Sequence, residues 1–83
     1  MAHNKPSIIR IPYAPRAVDI FESGMQCGRA NWNCVHPVVD QRLIRQWMPL
    51  FRTIAEIDDE TLEIFRNGFR AGKKGREHDG QRP

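Results

Sequence analysis

No run of 18 apolar residues occurs in this 83-residue chain, so a membrane-spanning helix is not expected. The first residues contain no continuous apolar stretch of signal-peptide length, and a cytoplasmic location is the expectation. Only two cysteines are present, Cys27 and Cys34, too few for a disulfide-dense secreted scaffold. No phosphate loop, dinucleotide fingerprint or paired catalytic acid motif appears, so neither an enzyme nor a cofactor is expected. A zinc site assembled from Cys27, Cys34 and His36 lacks the usual Cys-x-x-Cys spacing, and two buried or idle thiols with a loop histidine are the better reading. The chain is also short. One domain of this size buries only about 60–65% of its unfolded surface, which favours completion of the core by a second copy or a partner.

What the chain does contain is a phrase said twice. Ile20-Phe21-Glu22-Ser23-Gly24-Met25-Gln26-Cys27-Gly28-Arg29 returns 44 residues later as Ile64-Phe65-Arg66-Asn67-Gly68-Phe69-Arg70-Ala71-Gly72-Lys73. Glycines four apart share one face of a helix, where a second helix can approach almost to backbone contact. A glycine inside a helix costs about 0.5–1 kcal/mol relative to alanine, so four of them call for a compensating contact. Two helices are therefore expected to cross through Ala17, Phe21, Gly24 and Gly28 on one and Phe65, Gly68 and Gly72 on the other. The phrase itself leaves open whether they cross within one chain or between two; with so little core per chain, a homodimer is expected.

The pattern around this phrase predicts an all-α fold of three helices. Residues 1–15 hold Pro6, Pro12 and Pro15 and cannot form a regular helix, yet Ile8, Ile9, Ile11 and Tyr13 make them apolar. An extended arm that docks on a surface is expected there. The helical domain spans 16–72. Its first helix starts near Pro15 or Arg16 and fades by Asn31. The second opens at Pro37 and carries Val39, Leu43, Ile44, Trp47, Leu50, Phe51 and Ile54 on one face, with a kink at Pro49. The third is capped by Asp58, with Asp59 and Glu60 in its first turn and an Ile57–Leu62 staple. Gly72 or Gly75 ends it, and residues 73–83 read as a disordered basic tail.

Charge is segregated. Residues 54–63 carry five acids and no base, whereas residues 64–83 carry six bases against Glu77 and Asp79. Helix-dipole complementarity accounts for this pattern as well as contact with an acidic partner does. Trp47 lies in the apolar phase of the second helix and belongs in the core. Trp32, between two asparagines, either closes one end of the core, is a hot spot for a partner protein, or is a stacking platform for an unpaired base. Ile9, Ile11, Tyr13 and Trp32 are thus the candidate partner-binding residues, and a small regulatory protein that inhibits or redirects another protein, such as an antagonist of a transcriptional regulator, is the expected function.

Residues 21–52 also resemble the ribosome modulation factor family, small basic helical proteins that bind and silence the ribosome. The matching positions are Gly24, Gly28, Pro37, Arg42, Trp47 and Phe51, followed by Arg52. The family's third opening glycine is missing, His36 precedes the proline, Pro49 falls inside the aromatic pair, and the third helix has no counterpart. The resemblance implies an alternative function, contact with ribosomal RNA through Arg29, Arg42, Arg45 and Arg52.

Overall fold

A computed structural model describes residues 13–80, with side chains through residue 77. It contains three α-helices, α1 (Ala17–Ala30), α2 (Gln41–Trp47) and α3 (Asp59–Gly80), and a single 3-10 turn at Ile54–Glu56; among the described residues there is no strand.

Each helix begins where a side chain satisfies its first amides. Arg16, extended at its backbone, precedes α1, and the Asp19 carboxylate turns back to accept from the Arg16 amide at 3.2 Å. Asp40 caps α2 by accepting from the Leu43 amide at 3.0 Å. Asp58 caps α3 by accepting from the Thr61 amide at 2.8 Å, the start expected from the sequence. Ile57 before that cap is buried, and Leu62 packs against the same core.

The two copies of the repeated phrase pack against each other within one chain. A β-carbon placed on Gly24 would run into the Phe65 carbonyl oxygen, and one on Gly28 into that of Phe69. On the facing helix, Gly68 meets the Phe21 carbonyl and Gly72 that of Met25. All four approaches are closer than 3.0 Å, nearer than real β-carbons come to other atoms. Shifted by 44 residues, the contacts of Gly24 become those of Gly68, and those of Gly28 become those of Gly72. The helices are therefore parallel and related by a local two-fold axis. With the glycine faces closed inside one chain, they give no reason of their own for a second copy.

A parallel pair requires the chain to travel back along the length of α1, about 21 Å for 14 residues. Residues 31–58 make that return, and α2 within them touches both long helices. The core forms beneath them from Ile20, Cys27, Ile44, Met48, Phe51, Ile57, Phe65 and Phe69.

Three expectations are corrected. The second helix does not open at Pro37 or kink at Pro49: it starts after Asp40 and stops at Trp47. A residue before proline is driven out of the α region, and Met48 leaves it there with φ −132° and ψ 73°. Phe51 remains buried beyond the proline, but Leu50 is 66% exposed, so the apolar phase ends too. The third helix does not end at Gly72 or Gly75 and residues 73–80 are no loose tail, because α3 runs to Gly80. Gly72 acts as a contact surface, and an ion pair from Lys73 Nζ to Glu77 Oε1 at 2.8 Å spans the turn beyond it. Ala17 is exposed at the start of α1 and takes no part in the crossing.

Candidate functional site

The residues singled out from the sequence fall into different environments. Ile9 and Ile11 lie outside the described residues. Tyr13 is half-buried and packs edge-to-face on Phe51, with ring centroids 4.8 Å apart and planes at 76°. Burial, and then the Asp19 carboxylate, push its phenol above the ordinary range. This places Tyr13 against the protein's own core. Trp32 is half-buried in the turn after α1, and Trp47 packs against the core as expected.

The four arginines carried by the family resemblance also differ. Arg42 and Arg52 project from the surface, whereas Arg29 on the last turn of α1 is exposed with its guanidinium turned toward Gly75 of α3. Arg45 folds back instead and donates from Nε to the Phe51 carbonyl at 3.2 Å, holding the turn around Pro49. Glu56 holds the next turn by accepting from the Arg52 amide at 2.5 Å and the Thr53 amide at 3.2 Å. Part of the acidic stretch thus has a backbone role.

The two thiols are separated by environment. Cys27 is fully buried, and desolvation pushes its thiol up to about 11, against a smaller opposing effect from the Asn31 amide. That amide donates to the Cys27 carbonyl at 2.8 Å and approaches Sγ at 3.6 Å. Cys34 and His36 are exposed in the following loop. Among the described residues no three histidine, cysteine, aspartate or glutamate side chains gather as a metal site would need.

One concavity was not anticipated from the sequence. A groove of about 440 Å³ lies between the stretch leading into α2 and the face of α3. Pro37, Val38, Val39 and Asp40 form one wall, and Arg66, Phe69, Arg70 and Lys73 the other. The three cations recur at i, i+4 and i+7 and so share one helix face. They are positioned by neighbours: Arg66 Nε donates to the Val39 carbonyl at 3.2 Å, Arg70 to the Asn67 side chain at 3.0 Å, and Lys73 to Glu77. The single carboxylate in the lining, Asp40, is engaged as the cap of α2. Val38 is 74% exposed, and Val35, three residues earlier in the same loop, is 79% exposed. Such a surface offers positive charge beside uncovered aliphatic area.

The bases were visible in the sequence at helical spacing, but the opposing wall lies about 30 residues away along the chain. Nothing local marked Pro37–Val39 as lying outside a helix, because the proline suggested a helix start. No family model, curated protein or solved structure matches this chain. Among the described residues, no helix is long and apolar enough to cross a membrane.

Proposed function

We propose that this protein is a small, non-enzymatic cytoplasmic regulator that binds another protein and blocks or redirects it, as an antagonist of a transcriptional regulator does. The observation that carries this reading is the exposed Val38 beside the cationic wall of α3, with Val35 exposed in the same loop. Exposed aliphatic side chains next to ordered cations suit a protein surface that is apolar at its centre and charged at its edge. Trp32 is a further candidate anchor at the end of α1.

A pull-down from lysate of the producing cells, with and without nuclease, tests the reading. A stoichiometric protein partner that survives nuclease and moderate salt is the expected result. The alternative, a ribosome- or RNA-binding modulator, draws support from the exposed Arg29, Arg42 and Arg52. It requires capture that is lost with nuclease and that weakens steeply as salt rises, with a slope near the number of phosphates neutralised. That result would overturn the first reading.

A further inference from the structure

We infer that the groove between residues 37–40 and α3 receives an acidic amphipathic helix of the partner protein, its carboxylates against Arg66, Arg70 and Lys73 and an apolar side chain against Val38. The inference rests on the protein-binding reading above and narrows it to one surface and one chemistry.

Charge comes first. The lining presents three cations, of which Lys73 pairs with Glu77 along α3, and one carboxylate, which already accepts from the Leu43 amide. An acidic ligand is therefore favoured over a basic or neutral one. Spacing comes second. Along α3 the cations are separated by about 6 Å and then about 4.5 Å at 1.5 Å per residue. Carboxylates at i, i+4 and i+7 of a second helix laid alongside repeat those intervals. An extended strand places same-side residues about 6.8 Å apart and falls out of step at the second interval.

The apolar part of the lining separates a protein from a nucleic acid. Single-stranded nucleic acid binds through cations combined with aromatic faces on which bases stack. The one aromatic ring in this groove, Phe69, is 3% exposed and offers no such face. The uncovered area there is aliphatic, from Val38, and it matches a leucine or isoleucine one turn from the carboxylates. A cavity of about 440 Å³ accommodates a few side chains of a helix resting across its mouth.

Fluorescence anisotropy with three labelled probes tests this. The first is a short synthetic helix with Glu at i, i+4 and i+7 and Leu at i+3; the second replaces that Leu by Ser; the third is an oligouridylate of equal charge. The first probe should bind about tenfold more tightly than the second, the difference expected for burying one leucine. Val38→Ser should weaken it several-fold and Arg70→Glu more than tenfold, whereas far-ultraviolet circular dichroism should not change, since both side chains are exposed. Tighter binding of the oligouridylate, or peptide binding indifferent to both substitutions, would overturn the assignment. So would a dimer at low salt that Arg70→Glu dissolves, because the occupant would then be the acidic stretch of a second copy. A nuclease-resistant partner whose capture ignores both substitutions would sink this groove and leave the regulatory reading standing.

Discussion

Cys27 and Cys34 differ by burial alone, and that difference governs their chemistry. Thiolate is the reactive form, so a buried thiol whose ionisation is pushed up to about 11 is unreactive near neutral pH. A thiol-disulfide reagent should titrate one cysteine, Cys34, in the native protein and both in denaturant. The same burial links stability to pH. The folded state holds the Cys27 proton more tightly than the unfolded chain, so stability is intact below pH about 8.5 and falls as pH rises through about 11. Urea midpoints across that range should decline, and Cys27→Ala should flatten the decline while lowering stability elsewhere. Neither cysteine announced its burial through composition. Position did: Cys27 shares a helix face with Gly24 and Gly28, and that face proved to be the core. Tyr13 is the opposite lesson, an apolar-arm residue read as available to a partner that the fold spends on Phe51.

Elements were legible where the sequence carried two agreeing signals. Helices α1 and α3 have start signals and glycines at helical spacing, and both begin where those signals place them. The second helix was misjudged because its apolar phase was weighed above the constraint a proline places on the residue before it. Helix α3 was cut short because Gly72 was treated as a terminator when it is a contact. These glycines separate the two meanings by substitution. Gly72→Ala drives a methyl group into the Met25 backbone, which cannot retreat without parting the helices. It should destabilise by about 1–3 kcal/mol or more in urea unfolding. Gly75 has only the Arg29 guanidinium near, at 3.8 Å from an added β-carbon. Gly75→Ala should therefore stabilise by about 0.5–1 kcal/mol through helix propensity. Equal effects at the two sites would mean that Gly72 is not held against α1.

At the scale of the whole molecule, a repeated phrase becomes a two-fold pair of parallel helices, and the return between them builds the rest. Because the pair is parallel, the chain must run back along α1. That return creates the 37–40 wall which, with one face of α3, forms the groove. The candidate binding surface is thus a by-product of how the glycine faces meet, and it stayed hidden because its walls are distant in sequence. The residues likened to ribosome modulation factors, 21–52, exclude α3, which supplies all the groove's cations. An isotope-filtered nuclear Overhauser experiment on a mixture of labelled and unlabelled chains tests the central packing most directly. Contacts from the Gly24 α-protons to Phe65 and Phe69, and from those of Gly68 to Phe21 and Met25, are predicted within single chains. Their absence, or their appearance only between chains, would contradict the account.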